Sequence, residues 1–377
     1  MKTALVYDRV NKWGGAERVL LALHKLFPDA PLYTSVYDRK NTAWADNLNI
    51  KTSFLQNILY AKSHHELIPF LMPIAFEQFN FDEYDLVISV TSEAAKGIIT
   101  KPHTRHICYC LTPTRYLWSG YDEYFKNPLF KYVSLPIVSY LKSWDKIASN
   151  RPDMFIAISN EVKKRIKKYY ELDSEVIYPP VLLEQDFPSC HSRSLPCHSR
   201  EGGNPDQQKY KSESSPYFLI VSRLVSYKRI ELAIQACNRL HLQLEIIGMG
   251  KEESNLKKIA GPTISFLGNV TDKELAMFYK NCQALIFPGI EDFGLTVIEA
   301  QEYGKPVIAY RAGGALETVK EEKTGIFFER LEKDSLVNAL QRFGKYNFDS
   351  QDCKEQAAKF SFENFKNKFL SLVEKVI

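Results

Sequence analysis

Along this chain, short apolar segments alternate with stretches whose apolar residues recur at helical spacing, and that alternation constrains the fold more than any other feature. Candidate strands occupy residues 4–7, 32–36, 85–90, 105–110 and 154–158, with helical patterns after the first, third and last. Strands joined through helices pair in parallel, and the helices cover the sheet faces. Residues 130–147 predict one long amphipathic helix. A strand at 175–178 closes on Pro179-Pro180. From about 186 to 215 the rhythm stops in a run rich in Ser, Pro, Gly, Asn, Gln and charge, from which no core can be built. It resumes with strands at 217–222, 244–247, 264–267, 284–288 and 306–310, a helix at 230–240 and a final helix at 362–376. The expected fold class is α/β. A Rossmann-like domain covers 1–180, a linker with a low-complexity insertion 181–216, and a second Rossmann-like domain 217–357, because 377 residues exceed what one hydrophobic core organises.

Composition narrows the class further. Hydrophobic residues at 45% and charged residues at 25% fit a soluble globular protein, and no apolar run approaches the ~20 residues that cross a bilayer. The first residues read as a strand rather than a secretory signal, so the expected location is the cytoplasm. Seven cysteines without framework spacing predict reduced thiols, with Cys237 and Cys282 as small apolar residues in helical patterns. A formal charge of +4 is too weak to predict nucleic acid as a partner. The basic run 161–168 reads first as a solvated helix face and second as a contact for anionic lipid. The tetrapeptide Cys-His-Ser-Arg occurs at 190–193 and again at 197–200. Adjacent Cys and His chelate poorly, so a duplicated, unstructured insertion is expected there and no metal.

The chemistry concentrates in the second domain. The strand at 284–288 runs into Gly289-Ile290-Glu291-Asp292-Phe293-Gly294, and a helical pattern starts near Thr296 and stops at Gly304. A helix N-terminus at the carboxyl edge of a parallel sheet offers unpaired amides and the positive end of the helix dipole to a phosphate, and Gly294 lets the phosphate approach the backbone. Glu299, expected in the first turn, offers a carboxylate to ribose hydroxyls, and Glu291 reaches sugar hydroxyls from the preceding loop. Taken alone, both glutamates fit equally well as acids that favour a helix N-terminus. The segment 222–228 lies between a strand and a helix, so Arg223 and Lys228 are expected to project from the same sheet edge. Two fixed cations there hold a diphosphate and offset the charge that builds on it as a glycosidic bond breaks.

Together these residues resemble family 4 of the retaining glycosyltransferases, in which two glutamates with seven residues between them and a preceding Arg/Lys pair mark the donor site. Glu291 and Glu299 have that separation. The resemblance spans nearly all of the chain outside the insertion, and it extends to Gly268-Asn269-Val270-Thr271-Asp272, to Gly313-Gly314-Ala315-Leu316-Glu317 and to Thr324-Gly325-Ile326-Phe327-Phe328. It implies the GT-B fold, two Rossmann-like domains facing across a cleft, with the C-terminal helix at 362–377 completing the first. It also implies a catalytic group of Arg223, Lys228 and Glu291, the two cations on the diphosphate and Glu291 on the donor sugar. Glu299 would hold the ribose, the backbone of Phe293, Gly294, Leu295 and Thr296 would complete the phosphate site, and Val270 would border the base.

In the first domain, Trp13-Gly14-Gly15-Ala16-Glu17-Arg18 follows the first strand and opens a helix. The resemblance makes Gly14 and Gly15 a glycine loop beside the transferred sugar. The segments 84–89 with 95–97, 109–118 and 176–181 are similar to bacterial mannosyltransferases that build O-antigen and exopolysaccharide repeats on polyprenyl-diphosphate lipid. In that subgroup a histidine is common where this chain has Leu111, which can neither donate nor accept a hydrogen bond. The resemblance implies a nucleotide diphosphate sugar donor, GDP-mannose first, and a glycan or polyprenyl-diphosphate-linked acceptor met at the inner face of the cytoplasmic membrane. It further implies front-face substitution with retention, without a cofactor, a metal or a side-chain nucleophile. The absence of an Asp-x-Asp motif agrees with that. Two rivals fit the same residues: a sugar-nucleotide epimerase of similar architecture, and a catalytically impaired nucleotide-sugar-binding relative.

Overall fold

The computed structural model describes residues 1–58, 68–125, 127–181 and 216–377. The two Cys-His pairs, Cys190-His191 and Cys197-His198, and the insertion around them lie outside those residues. The chain divides into two compact units, Met1–Leu195 with Phe362–Ile377, and Pro196–Ser361.

The first unit is built on seven strands: β1 Thr3–Tyr7, β2 Leu32–Thr34, β3 Ile50–Thr52, β4 Leu86–Thr91, β5 Arg105–Cys110, β6 Met154–Ala157 and β7 Glu175–Val176. All pair in parallel in the order β3-β2-β1-β4-β5-β6-β7. β1 and β4 are buried along their whole length, which is why they read as continuous apolar runs. Its longer helices are α1 Gly15–Leu26, α2 Met72–Glu77, α3 Pro128–Ala148 and α4 Asn160–Tyr170. The chain winds outward in both directions from β1 and β4, so the carboxyl ends of these two strands flank the crevice where such sheets bind ligands.

The helix expected after the strand at 85–90 is not there. Only the single 3-10 turn Ala95–Gly97 separates β4 from β5. Asp8, just past β1, holds this segment: its buried carboxylate accepts the backbone N–H groups of Ser92, Glu93, Ala94 and Ala95 at 2.7–3.0 Å and the Thr91 hydroxyl at 2.8 Å. The turn ends at Gly97, and the β-branched Ile98-Ile99-Thr100 followed by Pro102 does not carry a helix on from it. The C-terminal helix Phe362–Val376 buries Phe365, Phe369, Leu372 and Val373 at helical spacing. It lies on the first unit, where the Phe365 and Phe369 rings stand 6.1 and 6.4 Å from Tyr109 of β5.

His106 of β5 is fully buried, with Nε2 2.8 Å from the Ser89 hydroxyl and Nδ1 without a partner. Burial, assisted by the Arg151 charge, pushes its pKa down to about 3. The folded value lies below the unfolded one of about 6.5, so the unfolded chain takes the proton first as pH falls. From His106 we expect stability to fall by up to about 1.4 kcal/mol per pH unit below about pH 6.5. Denaturant midpoints at neutral and mildly acid pH measure the slope. His106→Gln should flatten it, and an unchanged slope would trace the acid sensitivity to another group.

The second unit carries β8 Tyr217–Val221, β9 Gln243–Ile247, β10 Ile264–Gly268, β11 Ala284–Phe287, β12 Val307–Tyr310 and β13 Gly325–Phe328, all parallel in the order β10-β9-β8-β11-β12-β13. Its helices are α5 Ile230–Leu240, α6 Glu253–Ile259, α7 Asp272–Asn281, α8 Leu295–Glu302, α9 Lys333–Phe343 and α10 Ser350–Ala358. Alternate side chains of each strand feed two cores. Ile220, Ile246, Ile286, Ile308 and Ile326 pack with α5 and α9, whereas Leu219, Leu285, Val307 and Phe327 pack with α7 and α8. α7 opens on a capping box between Thr271 and Glu274. Cys237 and Cys282 are buried, and burial pushes both thiols up to about 12, so both stay protonated.

Candidate active site

The second sheet reverses its winding between β8 and β11, and the loops leaving those two strands carry the residues singled out from the sequence. After β8 the chain reaches the 3-10 turn Ser226–Lys228. After β11 it passes through Glu291 to Gly294, where α8 begins. Lys228 Nζ makes an ion pair with Glu291 Oε1, joining the two loops, and the side chains retain only 11% and 22% exposure. Arg223 lies on the same loop as Lys228 but points elsewhere. Its side chain is exposed and donates to the Tyr227 hydroxyl at 2.7 Å.

Gly294 caps α8 with a φ of +91°, a conformation in which a side chain is strained, and no side chain caps the helix. The first-turn amides of Leu295 and Thr296 therefore end the helix as an uncapped positive pole, the arrangement that receives a phosphate. A second glycine fixes the loop before it. A Cβ on Gly314 would fall 2.2 Å from Phe293 Cα, and the Gly314 N–H donates to the Glu291 carbonyl at 2.9 Å. Only glycine lets the Gly313-Gly314 turn close on residues 291–293. Phe293 is buried, with its ring 5.4 Å from Phe360.

One sequence expectation needs correction here. Because Gly294 starts the helix at Leu295, Glu299 is the fifth helical residue and stands beyond the first turn. It is buried and accepts the Tyr279 hydroxyl at 2.8 Å, while Tyr279 stacks on Tyr303 at 5.6 Å. Tyr279 thus orients the carboxylate, and nothing in its local spacing distinguished it from an ordinary apolar helix position. Val270 lies between β10 and α7, half-buried against the core shared with α7 and α8.

In the first unit, Gly14 precedes α1 with extended backbone and Gly15 is its first residue. Glu17 is buried and accepts the Tyr7 hydroxyl at 2.6 Å, which fixes the start of α1 against β1. Asp8 completes this end of the sheet. A lone aspartate after a strand carries no signal in sequence, and its six donors come from residues 91–95. Leu111, just past β5, is buried and donates its N–H to the Thr91 carbonyl at 2.8 Å.

Residues 204–360 match the protein family described as Glycosyl transferases group 1. Over 209 residues, 53% of this chain and 51% of the relative, the sequence is 24% identical to O-antigen chain mannosyltransferase C of Escherichia coli. Over 123 residues, 32% of this chain and 30% of the relative, it is 32% identical to a GDP-mannose-dependent alpha-mannosyltransferase of Corynebacterium glutamicum. The chain therefore spans about half the length, or less, of these two relatives. Sucrose-phosphate synthase from Thermosynechococcus elongatus superposes with a TM-score of 0.72 at 17% identity, covering 100% of this chain and 99% of that one. HepE of Anabaena, solved in complex with UDP, superposes with a TM-score of 0.68 at 18% identity, covering 100% of each. Such identities speak to the fold alone. The chain is an α/β protein whose two parallel-sheet domains match GT-B glycosyltransferase structures, and its residues 204–360 match the glycosyl transferases group 1 family.

Proposed function

We propose that this chain is a retaining glycosyltransferase, independent of metal, that takes mannose from GDP-mannose and places it on a lipid-linked or oligosaccharide acceptor in bacterial surface polysaccharide synthesis. The observation that carries the reading is the Lys228–Glu291 ion pair beside the uncapped N-terminus of α8, at the switch point of the second sheet. The printed names of the two mannosyltransferase relatives support the choice of sugar.

In this reading the donor diphosphate takes over the Lys228 ammonium from Glu291 and sits on the amides of Leu295 and Thr296. Glu291 is then released to the sugar hydroxyls, and Arg223 swings from Tyr227 to the same diphosphate. As the bond from the sugar's anomeric carbon to the diphosphate oxygen breaks, negative charge grows where these donors already point. The acceptor hydroxyl attacks from the face the diphosphate leaves, and its proton passes to the departing diphosphate oxygen.

The test is a donor screen with purified protein, scoring nucleoside diphosphate release from GDP-mannose, other GDP-sugars and UDP-sugars, with and without membrane lipid extract. GDP release from GDP-mannose that rises with lipid extract, and an α-configured product, are expected. Conversion of the donor to another sugar nucleotide without acceptor would replace the reading with an epimerase, and binding without turnover with an impaired relative.

Leu111 is the position at which the first unit departs from the mannosyltransferase pattern. Leu111→His is expected to preserve or raise kcat, because an imidazole there hydrogen-bonds a donor hydroxyl as charge develops. Left without a partner, the ring costs ~1–3 kcal/mol. A variant with a lower Tm and no gain in kcat would mean that the pocket is rebuilt around leucine.

A further inference from the structure

Across the carboxyl edge of the first sheet, the loop after β1 and the loop after β4 are joined by an ion pair, Arg9 Nη1 to Glu93 Oε2 at 2.5 Å. The winding of that sheet reverses between β1 and β4, as that of the second reverses between β8 and β11. Arg9–Glu93 thus holds in the first unit the topological place that Lys228–Glu291 holds in the second. In each, a cation from one loop meets a glutamate from the other at the ligand crevice of the sheet.

The backbone beneath this pair is fixed. Glu93 donates its N–H to Asp8 and to the Thr91 hydroxyl, both at 3.0 Å, and its carbonyl accepts the Lys96 ammonium and the Thr114 hydroxyl. Next to Arg9, Val10 donates to the Val36 carbonyl at 2.9 Å and accepts the Asp38 N–H at 2.8 Å. The side chains of Arg9 and Glu93 keep 13% and 17% exposure, and an ion pair so far out of water adds little net stability, because desolvation offsets its attraction. The pair is also incomplete. It makes one of the two bonds that a guanidinium and a carboxylate make fork to fork, and Arg9 Nε is buried with no partner among the described residues. A buried donor is rarely left unmatched without a functional reason, and rigid loops that present one are preorganised for a ligand.

The charges around Arg9 select that ligand. Burial alone would lower its pKa, but the charge and hydrogen bond of Glu93, followed by the charge of Asp8, raise it, so the guanidinium stays ionised under two carboxylates. Lys96, the cation of the segment 91–97, is paired with Asp145. A phosphate would meet the repulsion of both carboxylates, whereas the hydroxyls of a neutral sugar find a donor in Arg9 and an acceptor in Glu93. We propose that Arg9 and Glu93 hold neighbouring hydroxyls of a neutral acceptor sugar, so that this protein extends an existing glycan rather than placing the first sugar on a lipid phosphate. The inference rests on the transferase reading, for which it names the acceptor. Its substrate then comes from an earlier sugar-transfer reaction that leaves a terminal sugar with free hydroxyls.

Saturation-transfer NMR of the full chain, without donor, tests it with the methyl glycosides of mannose, glucose, galactose and N-acetylglucosamine, and with farnesyl phosphate as the lipid phosphate. Binding of at least one glycoside is expected. Glu93→Gln should weaken it at least about fivefold, since the variant keeps the shape and removes the charge that accepts the hydroxyl. Near-UV circular dichroism should be unchanged. If Glu93→Gln does not fold, Arg9→Lys, which keeps the charge and loses the fork, carries the same expectation. Wild-type protein that binds none of the glycosides would overturn the proposal. So would a glycoside held equally well by the folded variant, or a variant that weakens farnesyl phosphate instead of the glycoside. Nucleoside diphosphate release in the donor screen judges the transferase reading separately: glycoside binding that depends on Glu93 in a protein that releases none would sink that reading and leave the sugar site standing.

Discussion

Lys228→Ala is expected to lower kcat on the nucleotide-sugar donor by about 10- to 100-fold, the loss that follows from removing a charged hydrogen bond worth ~1.5–3 kcal/mol from a developing diphosphate charge. The argument rests on where Lys228 sits. It is buried and already paired with Glu291, so on the donor-site reading it meets the diphosphate without first shedding a full solvent shell. Arg223 begins exposed and bound to Tyr227, so its contribution includes the cost of moving and ordering a long side chain. Arg223→Ala should therefore fall near the low end, at about tenfold. Glu291→Gln keeps the shape of the loop and removes the charge, and on the sugar-contact assignment it should raise KM as well as lower kcat. Because Lys228 and Glu291 hold each other before the donor binds, the effects of Lys228→Ala and Glu291→Gln should not add. Unchanged turnover in both Arg223→Ala and Lys228→Ala would remove the donor site from this loop.

What could be read in the sequence was whatever depends on short-range pattern. Parallel strands buried on both faces are apolar throughout, so the central strands of both sheets stood out, and the C-terminal helix at Phe362–Val376 was legible from its spacing. Of the four edge strands, β7 and β10 are legible at 175–178 and 264–267, whereas β3 and β13 are not. β3 is three residues with the half-buried or exposed pattern of a loop, and β13 reads as a motif rather than a strand. After β4 the expected helix gives way to the single turn Ala95–Gly97, and the grip of Asp8 on the amides of residues 92–95 is a contact that local spacing does not show. The site divides the same way. Arg223, Lys228, Glu291 and Glu299 were nameable from residue type and spacing. That Lys228 reaches Glu291 while Arg223 does not, and that Tyr279 orients Glu299, depends on contacts between segments far apart in the chain. The Gly313-Gly314 pair was visible as letters, and its physical role, letting one backbone lie against another at residues 291–293, needed the coordinates.

Asp145→Ala is expected to be the most destabilising single substitution we predict, at about 3–5 kcal/mol, because it strips the partner from a buried cation. Asp145 and Lys96 retain side-chain exposures of only 1% and 2%, and their ion pair is 2.5 Å long. The carboxylate is saturated. Oδ1 also accepts the Thr114 hydroxyl at 3.0 Å, and Oδ2 accepts Trp118 Nε1 at 2.7 Å and the Tyr170 hydroxyl at 2.8 Å. One side chain of α3 thereby ties down the 3-10 turn after β4, the segment after β5 and the end of α4. Burial by itself would favour the neutral amine of Lys96, but the Asp145 charge and hydrogen bond outweigh it and raise the lysine's pKa. With Asp145 gone, the ammonium keeps the Glu93 carbonyl and the face of the Tyr170 ring but no counter-charge, and three further donors lose their acceptor. For a unit of this size the loss corresponds to a fall in Tm of about 6–20 °C. Removing both charges separates the ion pair from simple packing. Lys96→Met/Asp145→Leu should recover much of the stability lost in Asp145→Ala, because no charge is then stranded, although Thr114, Trp118 and Tyr170 still lack their acceptor. Thermal unfolding of the two variants decides it. A double variant no more stable than Asp145→Ala would place the energy in those three neutral hydrogen bonds rather than in the ion pair.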